Sequence, residues 1–366
     1  MTRAQSQLAR DDALHRFVPT EIPGPDALLL TIESTCDETA AAVISRDGRV
    51  LGSCVATQEA LHEQFAGVVP EVAARAHVER IIPVIDQALK SAGARGEDLY
   101  AIAVAARPGL AGSLLVGLTA AKAMSVAYEK PLVALNHLHA HIYACQLAAT
   151  TDVYPCIGMI VSGGHTSLYD CAGPLDLDYL GGTIDDAAGE AFDKVAAMLR
   201  LGFPGGPAVS RAASKGDPSA HAFPRSLLRN PGYNFSFSGL KTAVRYAIIG
   251  PGRKDFENVD LSDQQIADLC ASFQMAVVDC LVGKATAAVR ERGHDRLCVG
   301  GGVAANRVFR DALQASAEQN DFTLHIAPME LCTDNAVMGA IAWHQIERGD
   351  WAELDLDITP GLQRGF

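Results

Sequence analysis

The stretch LLLTIESTCDETAAAVI, residues 28–44, places two apolar runs on either side of the polar segment 33–39. This order predicts a strand, a polar turn and a second strand. The order returns at residues 157–161, which are followed by the turn SGGHT at residues 162–166, and 128 residues separate Ser34 from Ser162. Two similar hairpins at this spacing predict a duplicated chain.

Helical periodicity alternates with short buried strands through the rest of the chain. Apolar spacing predicts helices over residues 77–90, 110–129, 186–199, 240–249 and 263–291. Strands that alternate with helices indicate an α/β fold with a mostly parallel sheet covered on both faces. We expect a loose N-terminal extension over residues 1–26, a first half over 27–150 and a second half over 151–366.

The composition is that of a globular protein, because 49% of the 366 residues are hydrophobic. The nine cysteines form no C-x-x-C pair, which favours a reducing compartment. The first 26 residues contain no apolar run typical of a secretory signal, and no stretch approaches the ~20 apolar residues of a membrane span. We therefore expect a cytoplasmic protein that does not associate with membranes.

The net charge of −13 disfavours indiscriminate nucleic-acid binding, but the charge is unevenly distributed. Residues 194–254 contain ten basic residues and one acid, a net charge of +9, interleaved with six aromatic side chains. Such a mixture suits phosphates and unstacked bases. A solvated helical surface over core aromatics is an equally good interpretation of the charge alone.

His137 and His141 lie four residues apart on a predicted helix and therefore project from one face. They could bind one metal, or could be a hydrogen-bonded pair. The helix follows a strand, where open α/β sheets place their sites. Asp334 could be a third ligand or a helix cap. Two histidines and a carboxylate would suit Zn(II) or Fe(II), and the sequence does not choose between them.

Glycine-rich turns occur at residues 162–166, 204–207 and 300–306. Each can expose backbone N–H groups to an anion, although tight turns use the same residues. Together they favour a nucleotide ligand, while neither a P-loop nor a Rossmann fingerprint is present. The acids that could face a shared cleft, or could be caps, are Asp37, Glu38, Asp185, Asp186 and Asp193.

Several long motifs occur in one order along residues 28–343. They are IESTCDET at 32–39, GVVPE at 67–71, PGLAGSLLVG at 108–117, VSGGHT at 161–166, DDAAGEAFDK at 185–194, FSFSGLKT at 235–242 and GGVAAN at 301–306. With the paired histidines, they resemble the bacterial TsaD family, tRNA threonylcarbamoyladenosine synthase subunits formerly labelled glycoprotein endopeptidases. The metal helix here reads NHLHAH from Asn136, where the family typically has His, His, Met, Glu, Gly, His.

This resemblance implies an actin, sugar-kinase and Hsp70-like fold of two duplicated halves, with a nucleotide cleft between them. It implies a metal bound by His137, His141 and Asp334. The residues implied to contact the adenylate are Ile160, Val161, Ser162, Gly163, Gly164, Asp193, Gly206, Ser210 and Asn306. It also implies helper subunits, TsaB and TsaE, and a separate enzyme that makes the adenylate.

The implied reaction is transfer of a threonylcarbamoyl group from threonylcarbamoyl-AMP to the N6 amine of the adenosine next to the anticodon, in tRNAs that read codons beginning with A. Asp37 is the candidate to orient or deprotonate this amine. Arg225 and Lys241, within the basic segment, are the candidates to face the tRNA.

Three alternatives are weighed against this reaction. A metalloprotease is disfavoured because Leu138 follows His137 where zincins carry a glutamate. The main alternative is an ATPase or kinase of the same fold that does not act on tRNA. A non-catalytic scaffold is disfavoured because both histidines and the glycine-rich turns are present.

Overall fold

The computed structural model of the chain describes residues 17–19, 21–65, 67–250 and 260–361. Most of the predicted N-terminal extension, and Arg253 and Lys254 of the basic segment, lie outside the described residues. The chain forms two compact units. One unit contains the chain up to Gln58 together with Val68–Tyr143 and Asp334–Gly361, and the other contains Glu59–Gly67 and Ala144–Thr333.

A five-stranded sheet forms the centre of the first unit. Its strands are β1 (Leu28–Glu33), β2 (Glu38–Ser45), β3 (Val50–Thr57), β4 (Leu99–Arg107) and β5 (Leu132–Asn136). The order across the sheet is β3-β2-β1-β4-β5. Strand β1 pairs antiparallel with β2 and parallel with β4. Residues 29–33 of this central strand are buried, as the predicted apolar run requires.

The second unit repeats this arrangement. Its strands are β6 (Cys156–Val161), β7 (Thr166–Cys171), β8 (Leu177–Gly182), β9 (Arg296–Gly300) and β10 (Thr323–Ile326). They are ordered β8-β7-β6-β9-β10, with β6 antiparallel to β7 and parallel to β9. Both sheets therefore share one topology, and the predicted duplication is confirmed. Each sheet is mixed rather than mostly parallel, because each begins with a three-stranded antiparallel meander.

Helices connect these strands and pack on the sheets. They are α1 (Glu59–His62), α2 (Pro70–Ala92), α3 (Ala111–Tyr128), α4 (His137–Ala148), α5 (Ala188–Met198), α6 (Gly205–Ala213), α7 (Ser238–Ile249), α8 (Asp263–Arg292), α9 (Arg307–Asn320), α10 (Met329–Cys332) and α11 (Ala342–Arg348). Short 3₁₀ turns lie at Glu63–Phe65, Gly96–Asp98, Gly302–Ala305 and Val337–Ile341. In the first unit, Ile81, Val84 and Ile85 of α2 pack into the core with Leu30 and Ile32 of β1.

The C-terminal segment of the chain belongs to the first unit, whereas the sequence assigned residues 151–366 to the second half. The side chain of Gln345 donates to the carbonyl of Ala134 at 2.9 Å. The backbone N–H of Ala352 donates to the carbonyl of Leu132, at 2.8 Å. These contacts with β5 hold residues 334–361 against the first sheet, so that Asp334 joins the unit that carries α4.

Among the described residues, two helices, α3 and α8, are long and apolar enough to cross a membrane by length and composition. Core helices of globular units meet the same criteria. The apolar window of α8 is 67% buried inside the structure, and that of α3 is 33% buried.

Candidate active site

Helix α4 carries the paired histidines directly after β5. Asn136 ends the strand, and its Oδ1 accepts a hydrogen bond from the N–H of Leu138 at 2.9 Å, which caps the helix. The rings of His137 and His141 meet edge to face with their centroids 4.5 Å apart. The predicted i, i+4 geometry is therefore present, and Asn136 has a structural role at the helix start.

Asp334 lies against both imidazoles. Its Oδ1 is 3.0 Å from His141 Nε2 and 3.6 Å from His137 Nε2. One potential ligand atom from each of the three residues lies within 4.8 Å of the others. His137 and His141 are buried, and the Asp334 side chain is 15% exposed. The tertiary structure thus brings Asp334 against two histidines, the nearer of which lies 193 positions away in sequence.

Glu33, at the end of β1, holds His137 in one orientation. Its Oε2 is 3.0 Å from His137 Nδ1, and the hydroxyl of Thr35 is 3.2 Å from the same atom. A carboxylate accepts, so Nδ1 carries the proton and Nε2 is directed towards Asp334. Burial disfavours the imidazolium, but Glu33 and Asp334 outweigh it and raise the pKa of His137 to about 9. Glu33 carried no sequence signal beyond its place in the first polar turn.

These donors fit a divalent metal. Two imidazoles and one carboxylate are a donor set used by Zn(II) and Fe(II), and the carboxylate on the far side of His137 is the usual support of a metal-bound histidine. His141 Nδ1 is buried and has no hydrogen-bond partner among the described residues. His139 is not part of this cluster. Burial and Arg107 lower the pKa of His139 to about 4.

Two titratable residues of the first hairpin, Cys36 and Glu38, interact electrostatically with Asp334. Burial, together with Asp334 and Asp37, raises the pKa of Glu38 to about 10. Burial and Asp37 raise the pKa of the Cys36 thiol well above its ordinary value. The structure therefore places Asp37, the candidate for contact with the amine, in an acidic and partly buried cluster.

His77 fixes the backbone of this turn from α2. Its Nε2 is 3.0 Å from the carbonyl of Cys36 and therefore donates to it, while Nδ1 lies 2.8 Å from the Thr39 hydroxyl. Burial lowers the pKa of His77, which favours this neutral, two-bonded form. His77 is a second residue of this site that carried no sequence signal beyond its place at the start of the helix predicted over residues 77–90.

In the second unit, the turn after β6 exposes its glycines. Ile160 and Val161 are fully buried within β6, so their backbone and not their side chains could reach a ligand. The N–H of Ser162 donates to the carbonyl of His165 at 2.8 Å, and Ser162 Oγ accepts from the N–H of His165 at 3.1 Å. Gly163 and Gly164 protrude from this closed turn and are exposed.

Two other glycines allow close backbone contact with the same turn. A Cβ on Gly189 would lie 2.6 Å from the carbonyl oxygen of Ser162, and one on Gly301 would lie 2.5 Å from that of Val161. Gly301 also has φ +97°, a conformation that other residues rarely adopt. Segments that are distant in sequence therefore meet beside Ser162 with little side-chain obstruction.

The other predicted contacts in this unit have structural partners. Asp193 Oδ1 accepts from the N–H of Gly205 at 2.7 Å and so caps α6, which carries Gly206 and Ser210. Asn306 caps α9 by accepting from the N–H of Phe309 at 3.1 Å, and its amide donates to Gln274 at 2.8 Å. Both capping roles are present. The ligand-binding roles of these residues stay predictions.

Asp185 and Asp186 join three segments. Asp185 accepts four hydrogen bonds, from both hydroxyls and two N–H groups of residues 236–238, at 2.5–3.2 Å. Asp186 pairs with Lys194 at 2.7 Å and with Lys241 at 2.6 Å. Both acids therefore fasten the loop before α5 to the start of α7.

Two of the basic residues considered for tRNA contact are paired within the protein. Lys241 pairs with Asp186, and Arg225 pairs with Asp279 at 2.8 Å. Their side chains are 24% and 28% exposed. Both acids lie outside residues 194–254, so part of the +9 charge is balanced by residues that a count along the sequence does not include.

Comparison with known proteins gives consistent results. The model of the TsaD family, described as tRNA N6-adenosine threonylcarbamoyltransferase, matches residues 49–341. A relative of that name from Rhodopirellula baltica is 67% identical over 350 residues, 93% of this chain and 98% of the relative. Another from Symbiobacterium thermophilum is 48% identical, with 93% and 98% covered. These matches do not support the alternative of an ATPase or kinase that acts elsewhere.

Solved structures support the fold alone. The chain superposes on component A of the Acidaminococcus fermentans (R)-2-hydroxyglutaryl-CoA dehydratase with a TM-score of 0.51 at 13% identity, covering 88% of this chain and 98% of that one. It superposes on T. kodakarensis HypF with a TM-score of 0.58 at 16% identity, covering 91% and 49%. The predicted actin, sugar-kinase and Hsp70-like fold class is confirmed.

Proposed function

The chain belongs to the tRNA N6-adenosine threonylcarbamoyltransferase family of tRNA-modifying transferases, and from that premise we propose that threonylcarbamoyl-AMP is its donor and that α4 and Asp334 form its metal centre. The observation that carries the proposal is the convergence of His137, His141 and Asp334 behind Glu33. The acceptor is the N6 amine of the adenosine next to the anticodon, in tRNAs that read codons beginning with A.

In the proposed reaction, the N6 amine attacks the carbamoyl carbonyl of the adenylate. A bond forms between N6 and that carbon, the bond from the carbon to the phosphate oxygen breaks, and AMP leaves. An exocyclic adenine amine is a weak nucleophile, so the protein must supply position and charge stabilisation. When bound, a divalent cation, Zn(II) or Fe(II), supplies Lewis-acid polarisation of the acyl group.

The chain's own residues have the following proposed roles. His137, His141 and Asp334 hold the cation, and Glu33 keeps the His137 proton on Nδ1. The exposed turn at Gly163 and Gly164, with the backbone of Ile160, Val161 and Ser162, cradles the adenylate. Asp193, Gly206 and Ser210 would be near its ribose and base, and Asn306 would contact the nucleotide.

Asp37 is proposed to orient the amine or accept its proton. Its half-buried position beside Cys36 and Glu38, in the first hairpin, supports this role. An Asp37→Asn variant should bind metal normally and transfer slowly. Full turnover by that variant would remove Asp37 from the mechanism.

A helper subunit is proposed to dock on the first unit. The resemblance implies TsaB and TsaE, and exposed apolar side chains support a protein partner. Val78 and Ile82 lie one turn apart on α2 and are each 63% exposed, and Leu115 and Val126 on α3 are 47% and 57% exposed. An Ile82→Glu variant that still co-elutes with the TsaB subunit of its source organism during gel filtration would refute this docking face.

A cytoplasmic location is proposed because the substrate is tRNA.

The proposal as a whole is tested by nucleoside mass spectrometry. Unmodified tRNA is incubated with the metal-loaded protein, helper subunits and threonylcarbamoyl-AMP, beside a His137→Ala variant. We expect threonylcarbamoyladenosine only with the intact histidine. ATP turnover without tRNA, and no modified nucleoside despite bound metal and active helpers, would instead support the ATPase alternative.

A further inference from the structure

A pocket of about 700 Å³ opens in the second unit, outside the residues discussed above as adenylate contacts. One wall is the loop Arg225–Asn230, which precedes α7. The opposite wall is formed by apolar and small residues, including Val278 and Val282 of α8 and Ala312 of α9. Its volume is within the range of small-ligand sites, roughly 300–1,000 Å³.

The loop is held rigidly by α8. Arg225 pairs with Asp279 and donates to the carbonyl of Phe223 at 2.7 Å. Lys284, which is 3% exposed, donates to the carbonyls of Asn230 and Gly232 at 2.8 and 2.6 Å. The loop is thereby fixed at both ends before any ligand arrives.

Leu227 marks strain in this fixed loop. Its φ is +59°, a left-handed conformation that is unfavourable for leucine. Such strain persists where the surrounding structure enforces it, and it clusters at ligand-binding sites. The strained residue orients the neighbouring Leu228, which lines the pocket and packs against Gly283.

The polar groups at the pocket select for an anion. No described residue pairs with the guanidinium of Arg229 or with the side-chain amide of Asn230, and both residues are exposed. The charge of Asp279 is balanced by Arg225. Lys284 adds a buried ammonium behind the loop, bonded to carbonyls. The lining therefore has an excess positive charge, one free amide and apolar walls.

We propose that this pocket binds one unstacked nucleotide of the tRNA, with its phosphate on Arg229 and its base between Leu228 and the apolar wall that contains Val282. This inference rests on the proposed function, which supplies the tRNA. A nucleotide matches the three parts of the lining, since it joins an anion, polar base edges and a flat apolar surface. The loop also belongs to the segment of +9 charge.

The test measures tRNA binding by fluorescence anisotropy over a series of salt concentrations, using the metal-loaded protein with its helpers. Ala312→Phe places a bulky ring in the pocket, and Gln314→Phe adds the same ring to an exposed position of α9 as its control. Arg229→Ala removes the proposed phosphate contact, and Arg211→Ala removes an exposed basic residue of the same segment outside the pocket.

We expect Ala312→Phe to weaken tRNA binding by about fivefold, because excluding the base removes roughly 1 kcal/mol of buried apolar contact, while Gln314→Phe binds as the wild type does. Arg229→Ala should lower the slope of log K against log[salt] by about 1. Thermal denaturation checks that each variant is folded. If Ala312→Phe does not fold, Arg229→Ala with its Arg211→Ala comparison decides the matter.

Wild-type affinity and salt slope in both pocket variants would overturn the inference. A second result would also overturn it: free AMP or inorganic phosphate stabilises the wild type, but not Ala312→Phe, against thermal denaturation, while both bind tRNA equally well. That result would indicate a small-anion site. Failure of the wild-type complex to bind or modify tRNA at all would instead contradict the proposed function. The two failures are thus distinguishable.

Discussion

The two sheets share one strand order, yet their first turns have different chemistry. In the first unit the end of β1 supplies Glu33 and the turn after it supplies Thr35, and both contact His137. In the second unit the turn between β6 and β7 is closed by its own hydrogen bonds and exposes Gly163 and Gly164. The same strand order therefore places polar side chains after the first strand of one unit and exposed backbone after the first strand of the other.

The segments after the last strand of each sheet differ as well. Strand β5 leads directly into α4 with its two histidines, whereas β10 leads through the short α10 to Asp334. Asp334 then belongs to the first unit. The first unit therefore contains the whole cluster of possible metal donors, whereas the second unit contains the exposed glycine turn. Four experiments test this division, beginning with the largest expected effect.

Removing a proposed metal donor should have the largest effect. His141→Ala deletes an imidazole that contacts Asp334 at 3.0 Å. We expect loss of stoichiometric metal, measured by mass spectrometry of the purified protein. Transfer should fall by more than about 100-fold, since changes to residues that only support a metal ligand already cost about 10- to 100-fold. His139→Ala is the matched control on the same helix. Equal metal content in both variants would refute the assignment.

Glu33→Gln should have a smaller effect on the same centre. The substitution keeps the shape of the side chain but removes the charge that stabilises the His137 Nδ1 proton. We expect metal affinity to fall by about 10- to 100-fold, as observed for supporting carboxylates. Competition with a chelator measures this change. Thr35→Val, which removes only the weaker contact at 3.2 Å, should change affinity less. The reverse order would contradict the proposed support.

In the second unit, Asp185→Asn should affect stability and its pH dependence. Burial disfavours the Asp185 carboxylate, but hydrogen bonds from Ser236 and Ser238 lower its pKa below the ordinary value. A lowered folded-state pKa gives stability that is complete above the unfolded pKa, about 3.9, and is lost as the pH falls through the folded pKa. The variant should be less stable by about 1–3 kcal/mol near neutrality.

The same variant should also lose less stability than the wild type below about pH 4. Urea denaturation at several pH values measures both effects. Ser219→Ala is a control, because Ser219 bonds to the exposed Asp217 away from this loop. Parallel stability curves for the wild type and Asp185→Asn would show that the hydrogen bonds to Asp185 do not stabilise the fold.

Charge reversal in the basic segment should have the smallest effect. Arg225→Glu and Lys241→Glu should each weaken tRNA binding and lower its salt slope by at most about 1, because acids of the second unit already balance both charges. Arg95→Glu is the control, because Arg95 is an exposed and paired arginine of the first unit. Anisotropy titrations measure both quantities. If neither variant differs from the control in tRNA affinity or salt slope, neither residue contacts the tRNA.

Much of the fold could be predicted from local patterns. The helix expected over residues 263–291 is α8, Asp263–Arg292, because Ser262 and Gly293 are clear cap residues. Three strands lacked such signals. Residues of β3 are largely exposed, and β8 and β10 are short edge strands, so no buried apolar run marks them.

The candidate site could be predicted only in part. The i, i+4 spacing of His137 and His141 follows from helical geometry, and their pairing needs no tertiary information. Glu33 and His77 could not be assigned, because their partners lie 104 and 41 positions away in sequence. The pairing of Lys241 with Asp186 was hidden for the same reason, since it joins residues 55 positions apart.

The sequence by itself determined the two hairpins, the helix that carries the histidines, and the family, because each depends on residue order over short spans. Only the tertiary structure decided that residues 334–361 return to the first unit and place Asp334 3.0 Å from His141. It also decided which charges are balanced. Both outcomes depend on packing between segments that are distant in sequence, and no local propensity specifies such packing.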